Sequence, residues 1–380
     1  MDIYRRLRDH FDVMPVGFPK SWSEIELDIL RRFFDEDEAL VALNLSMLPE
    51  TADRIYRRMG KGKMPRERVH DILENLDSKK VLNSSVVRRR GEEVTLYGKL
   101  PFVVGLYEYQ GGRLTRDFEA EATQYMDETF MYEYVREKPQ QMRTIPVNET
   151  FLPDRGVSRY DSIRNVILEA EGPFVAQGCI CREGRELMGE KCLLTDRKDT
   201  CLALGAAAER VLKEGRGTEM TRDETLEFLE KAEAEGLVLQ AQNNRNPVFI
   251  CCCCSCCCGI LTRVKQFPDP GNILKSNYLA AVDTDACTGC GRCLRRCPMN
   301  AISLTKTGKR SAATIRPERC IGCGLCVSTC PAGALSMRIK EKATDPPRTA
   351  MVMYVRMFIN RFGVFKGGFL LLKAVLGFRV

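Results

Sequence analysis

The chain has 380 residues, 44% hydrophobic and 29% charged, with 19 cysteines, two histidines and a formal net charge of +7. That length suits two or three domains, each able to bury a core, and no stretch reaches the roughly 18 to 20 uninterrupted apolar residues of a membrane-spanning helix. His10 and His70 stand outside the cysteine-rich half, which argues against mixed Cys/His zinc sites and histidine acid-base chemistry; with no cysteine before residue 179 and a charged Met1–His10, a reducing, cytoplasmic setting is expected rather than a secreted disulfide scaffold.

In chain order, Ser23 reads as an N-cap ahead of Ile25, Ile29, Leu30 and Phe33, apolar at helical spacing. Further helices are expected over about Asp35–Met47, Pro49–Met59 and Pro65–Lys79. The last carries Val69, Ile72, Leu73 and Leu76 as one stripe, with His70 at its boundary, and Gly60–Lys63 reads as a turn. Val81–Arg88 and Glu93–Leu100 read as two short strands joined by a basic tip of Arg89, Arg90 and Gly91. This order of elements, over about residues 23 to 103, resembles a winged helix, so the first domain, 1–105, is expected to be winged-helix-like. The resemblance implies nucleic-acid contact through Arg66, Arg68, Lys79, Lys80 and Arg88–Arg90. Glu67, Asp71, Glu74 and Asp77 interrupt the helix that would enter the groove, so a docking or structural module is preferred.

Leu114–Lys138 is acidic and aromatic, with Phe118, Tyr125, Phe130, Tyr132 and Tyr134 on what reads as one long helix. These aromatics and Trp22 are expected to be packing residues, in a helical connector covering 106–150. Pro146–Pro153 collects breakers and marks a domain boundary. A cysteine-rich mixed domain, 151–265, follows; in it Thr221 and Glu224 form a capping-box pair opening a helix that ends at Gly236.

The strongest pattern is Cys287-x2-Cys290-x2-Cys293-x3-Cys297-Pro298, repeated as Cys320-x2-Cys323-x2-Cys326-x3-Cys330-Pro331. Zinc needs four ligands but has no use for the three-residue gap closed by Cys-Pro. Three closely spaced thiolates wrap one face of an iron-sulfur cubane, while Gly289, Gly291, Gly322 and Gly324 let backbone amides approach the sulfurs. The motifs resemble those of two-cluster bacterial ferredoxins. The resemblance implies a dicluster domain over 266–343 with the fourth cysteine of each run crossing over: Cys287, Cys290, Cys293 and Cys330 on one [4Fe-4S] cluster, and Cys320, Cys323, Cys326 and Cys297 on the other. Loaded with two clusters, the chain would carry a net charge of only about +3, too little to argue for nucleic acid by itself.

Eleven further cysteines precede these motifs: Cys179, Cys181, Cys192, Cys201 and the run Cys251-Cys-Cys-Cys-Ser-Cys-Cys-Cys258. In an extended segment Cys252, Cys254, Cys256 and Cys258 share one face and Cys251, Cys253 and Cys257 the other, unless the chain turns at Ser255 or Gly259. Cys179, Cys181, Cys192, Cys201, Cys252, Cys254, Cys256 and Cys258 are therefore the candidate ligands of an additional centre. A third iron-sulfur cluster is preferred over a four-cysteine zinc site or redox-active thiols.

The fold class expected is α+β multidomain: a winged-helix-like front, a cysteine-rich mixed middle and a ferredoxin-like dicluster domain. Taken together, the layout up to about residue 340 resembles a sparsely characterised group of bacterial and archaeal 4Fe-4S binding proteins. The remaining tail, 344–380, has no acidic residue after Met351 but carries Arg356, Arg361, Lys366, Lys373 and Arg379 among apolar side chains. Such a stretch suits peripheral contact with an anionic membrane, or packing on the protein or a partner. The function expected is an electron-transfer protein or redox subunit serving a partner oxidoreductase. A redox-responsive DNA-binding regulator and an iron-sulfur enzyme using the middle cysteines are the alternatives.

Overall fold

Short amphipathic helices, rather than any long element, build the front of the chain. The computed structural model describes residues 2–60, 62–89, 91–147, 159–307 and 310–379. Parts of three expected features, at Lys61, Arg90 and 148–153, lie outside the described residues. The rest divides into two compact units, Met1–Lys138 with Val355–Val380, and Pro139–Tyr354.

In the first unit α1 (Ile3–Asp12), α2 (Ile25–Phe33), α3 (Glu36–Ala42), α4 (Ala52–Met59) and α5 (Arg66–Ser78) accompany a three-stranded antiparallel sheet of β1 (Glu50–Thr51), β2 (Asn83–Arg89) and β3 (Glu92–Gly98) in the order β1-β3-β2. The expected second helix is shorter than its apolar pattern, and residues 50 and 51 of the expected third are strand. Asp35 closes a full capping box with Glu38, which fixes the start of α3. The stripe of α5 is buried as expected. Its basic neighbours are committed locally: Arg66 pairs with Asp53 at 2.7 Å, Arg68 with Asp37 at 3.5 Å and Lys79 with Glu38 at 2.6 Å. At the hairpin, Arg88 and Arg89 stand opposite Glu93 and Glu92.

The expected long helix is instead α6 (Arg116–Tyr125), a wide turn over Met126–Phe130 and α7 (Met131–Arg136). The wide turn changes the helical register, and Phe118, Tyr125, Phe130 and Tyr134 are all buried. Phe102 meets Tyr125 and Phe130 at ring-centroid distances of 5.0 and 5.5 Å. These aromatics are core, whereas two of the expected packing residues are not: Tyr132 is 55% exposed on α7, and Trp22 is 81% exposed, because on the loop before α2 it is Ser21 that turns inward to hydrogen-bond Glu26.

Glu137 is the unit's least comfortable acid. One carboxyl oxygen accepts the Gly17 N–H at 3.1 Å and the other has no partner among the described residues, so burial pushes its pKa up to about 8. Between the ordinary carboxylate range and pH 8 the native state holds a proton that the unfolded chain has lost. Stability contributed by this group is therefore present at low pH and lost as pH rises, by up to about 1.4 kcal/mol per pH unit. Glu137→Gln is expected to raise the melting temperature over wild type at pH 8 and to leave it unchanged at pH 5; equal shifts at both pH values would refute the assignment.

The second unit opens with β4 (Met142–Ile145), α8 (Ile163–Glu169), β5 (Phe174–Gly178), α9 (Ile180–Leu187), β6 (Asp199–Leu204), α10 (Ala206–Lys213), β7 (Thr218–Met220), α11 (Arg222–Glu235), β8 (Val238–Gln242) and β9 (Phe249–Cys253). The six strands form one antiparallel sheet in the order β4-β8-β9-β6-β5-β7. Both halves of the Thr221/Glu224 capping box are present, and Gly236 ends α11 with a φ of 89°. After α12 (Gly259–Val264) and α13 (Pro270–Ile273), β10 (Tyr278–Val282), α14 (Arg292–Arg296), β11 (Ile302–Thr307), β12 (Arg310–Ile315), α15 (Leu325–Ser328) and β13 (Leu335–Ile339) make a duplicated lobe in which β10 pairs with β13 and β11 with β12. Polar contacts, two of them buried, hold this lobe to its neighbours in the unit. Arg143 on β4 pairs with Asp161 at 2.8 Å, Asn277 donates to the same carboxylate at 2.7 Å, and Arg296 donates to the Glu233 and Ala234 carbonyls closing α11.

The tail forms α16 (Ala350–Phe362) and α17 (Val364–Leu376). Arg361 is spent on Asp12 and Glu133 within the first unit. The outward face of α17 stays apolar, with Phe365, Phe369, Leu372 and Leu376 exposed. Among the described residues no helix is long and apolar enough to cross a membrane.

Candidate metal centres

The two Cys-Pro motifs fold as two loops that each lead into a one-turn helix, α14 and α15, and the loops need glycine. At Gly289 and Gly322 the φ is 68°, and a Cβ would collide with the Ser311 carbonyl in one case and with Ser276 and the Tyr278 carbonyl in the other. So placed, Cys287, Cys290, Cys293 and Cys330 wall one cavity. Cys297, Cys320, Cys323 and Cys326 wall a second of similar size. Each wall takes three thiols from one motif and one from the other. Backbone N–H groups already point at sulfur: Ala313 donates to Cys287 at 3.4 Å and Ala301 to Cys297 at 3.2 Å.

The two cavities differ in exposure. Cys290 is exposed, and the Arg292 N–H holds its thiol below the ordinary range. Cys320, Cys323 and Cys326 are all buried; burial first, then the crowding of neighbouring sulfurs, pushes Cys323 and Cys326 up. Such groups ionise only against a positive centre, which is the condition an iron-sulfur core meets. Arg319, on the wall of the second cavity, reaches out to the carbonyls of Lys265 and Phe267 at 2.8 and 3.0 Å, just beyond α12.

Strand register organises the middle cysteines. Cys251 and Cys253 share a face of β9, and Cys201 on β6 stands directly opposite Cys251. Cys179 caps α9, Cys181 lies in its first turn, and Cys258 caps α12, accepting the Leu261 N–H. The result is a string of neighbouring thiols: Cys201 against Cys251, Cys251 against Cys253, Cys253 against Cys258, Cys258 against Cys181 and Cys181 against Cys179. Adjacent thiols pull Cys258 down to about 5 and Cys251 well down, at the expense of Cys179, Cys181, Cys201 and Cys253, which rise.

The extended alternation expected through the run stops at Cys253. A turn over Ser255–Cys257, closed by the Cys258 N–H on the Cys254 carbonyl at 3.2 Å, is the alternative the spacing left open. It gathers Cys192, Cys254, Cys256 and Cys257 so that their sulfurs all lie within 4.8 Å of one another, the sole such set of ligating atoms among the described residues. Of the eight expected candidates, Cys179, Cys181, Cys201 and Cys258 therefore join the string, and Cys192, Cys254 and Cys256 the compact set. Cys252 joins neither: half a strand period out of phase, it presents to the other face of the sheet and is 1% exposed. Cys251, Cys253 and Cys257 take places that the sequence reading did not assign. Arg182, three residues after Cys179 on α9, was also overlooked. It faces Cys179, Cys192 and Cys254, and helical spacing from Cys179 was the available signal. Burial opposes ionisation of Cys192, yet the Leu194 and Thr195 N–H groups and Arg182 bring it down to about 6.

Residues 286–334 match the family described as a 4Fe-4S dicluster domain. The chain carries a ferredoxin-like iron-sulfur domain. The match spans both Cys-Pro motifs and all eight cysteines of the two cavity walls, leaving β10, β13 and the middle cysteines outside it. No curated protein and no solved structure matches the chain.

Proposed function

We propose that this chain is a non-catalytic electron-transfer subunit passing single electrons through two [4Fe-4S] clusters, one held by Cys287, Cys290, Cys293 and Cys330 and the other by Cys320, Cys323, Cys326 and Cys297. The observation that carries the reading is the pair of similar cavities, each walled by four thiols drawn three and one from the two motifs. Bound clusters supply reversible one-electron chemistry; the chain supplies thiolates, N–H donors and burial, the levers that set potential. A partner docks at the end marked by exposed Cys290. Arg319 on the wall of the inner cavity reaches the carbonyl at the C-terminal end of α12, whose N-terminal end Cys258 caps, and the onward route is taken to run along α12 to the middle cysteines. There the six-thiol string takes an additional cluster. The relay reading is preferred over DNA-dependent regulation because Arg66, Arg68 and Lys79 are engaged by acidic neighbours.

Anaerobic purification of the full chain with an EPR-monitored redox titration tests the relay. Two low-potential, magnetically interacting [4Fe-4S] signals are expected. A preparation with iron and sulfide in place but no reducible cluster pair would overturn it.

A further inference from the structure

We propose that Cys192, Cys254, Cys256 and Cys257 form a mononuclear tetrathiolate site for one divalent transition-metal ion, zinc or iron, distinct from the iron-sulfur clusters. Distance is the deciding argument. Cys192 Sγ lies 3.7 Å from both Cys254 Sγ and Cys256 Sγ, and Cys257 Sγ lies 3.8 Å from Cys256 Sγ. A tetrahedron with metal–sulfur bonds of about 2.3 Å has edges of about 3.8 Å. A cubane spreads its four thiolates over the corners of a four-iron core, which demands wider separations. The same chain provides the contrast: no three of the eight dicluster thiols come within 4.8 Å of one another, and neither do any three of the six-thiol string, among the described residues. One set alone is drawn to single-ion dimensions.

The surroundings are built for a bound anionic complex. Four thiolates around a divalent ion carry a net charge of −2, and Arg182, 7% exposed, faces the set from α9. Its guanidinium is buried with no carboxylate or carbonyl partner among the described residues and stands against the Cys192 thiol. A buried cation so placed is costly unless a negative group stands beside it. The Leu193 N–H points at Cys256 at 3.4 Å and the Cys257 N–H at Cys254 at 3.3 Å, as outer contacts that orient thiolate ligands. Cys192 and Cys256 are half-buried while Cys254 and Cys257 are buried, which leaves an entry side for the ion. Local order explains the set: three ligands come from one turn, with a three-residue span from Cys254 to Cys257, and the fourth from the loop after α9.

The test does not depend on the electron-relay reading, because it counts metal against acid-labile sulfide. In the anaerobically purified full chain, one ion per chain is expected beyond the iron balanced by sulfide, as zinc or as extra iron. Where the ion is zinc, X-ray absorption at the zinc edge should show four sulfurs at about 2.3 Å with no metal–metal shell; where it is iron, the excess of iron over sulfide reads it. The double variant Cys192→Ser, Cys256→Ser should lose that ion and keep its sulfide. Arg182→Met should weaken retention against a chelator by about 10- to 100-fold, with Arg182→Lys in between. Loss of iron and sulfide together from the cysteine variant would make the site a cluster and overturn the proposal. So would a wild-type protein whose metal is wholly balanced by sulfide, a result that needs no variant to fold.

Discussion

Replacing Cys330 by alanine is expected to remove the cluster of the first motif, although Cys330 belongs to the second. Iron and acid-labile sulfide should each fall by about four per chain, and the signature of interacting clusters should give way to that of one isolated centre. The residual spectrum should match that of Cys290→Ala, because both substitutions break the same wall. Cys297→Ala should instead match Cys323→Ala, and their residual cluster should be the one beside exposed Cys290, reached faster by a chelator. Self-contained motifs would reverse the pairing, with Cys330→Ala indistinguishable from Cys323→Ala. The fourth ligand has such weight because three thiolates leave one iron open, and the buried Cys323 and Cys326 thiols ionise only against the core's positive charge. Each cavity should therefore fill completely or lose its centre.

The dicluster lobe was legible because its ligand spacing is local. Glycines at fixed offsets carry the loops past the sulfurs, and the duplicated Cys-Pro fixes which pattern is being read. Front-end helices were legible where an apolar stripe recurred at helical spacing, as on α5, which starts at Pro65 with no side-chain cap; the cap expected at Ser23 falls instead on Glu24, while the Thr221 capping box stands as read. The long aromatic helix was not, because a wide turn changes register without any proline or glycine to announce it. Cys252 was misplaced by carrying the period of two through Ser255, where the chain turns instead. The deeper obstacle was topology. Cys201 and Cys251 lie fifty residues apart, and they become partners only because β6 and β9 are neighbours in a sheet whose order local pattern does not encode. Arg182 was hidden for a related reason: its significance depends on Cys192 and Cys254, which arrive from a distant loop and turn.

The same topology yields the second large expected effect. Cys201, Cys251, Cys253, Cys258, Cys181 and Cys179 come from two paired strands and the starts of two helices, so the string has rigid ends and backbone N–H groups at α9 and α12 turned toward it. Its thiols touch in sequence, with no three compact enough for a single ion, and Cys251 and Cys258 are already drawn toward thiolate by their neighbours. Such an array suits a polynuclear core better than zinc. The double variant Cys181→Ala, Cys251→Ala should therefore lower iron and sulfide together, from about twelve of each in clusters to about eight, and leave the dicluster EPR signals and the ion at Cys192 in place. A wild-type chain holding about eight irons, with sulfide to match and zinc in the middle unit, would sink the third cluster. If the variant instead loses iron without sulfide, the string holds single ions. If cluster content is unchanged and only oxidisable thiol is lost, the string is a dithiol relay, and the electron route ends at the inner cavity.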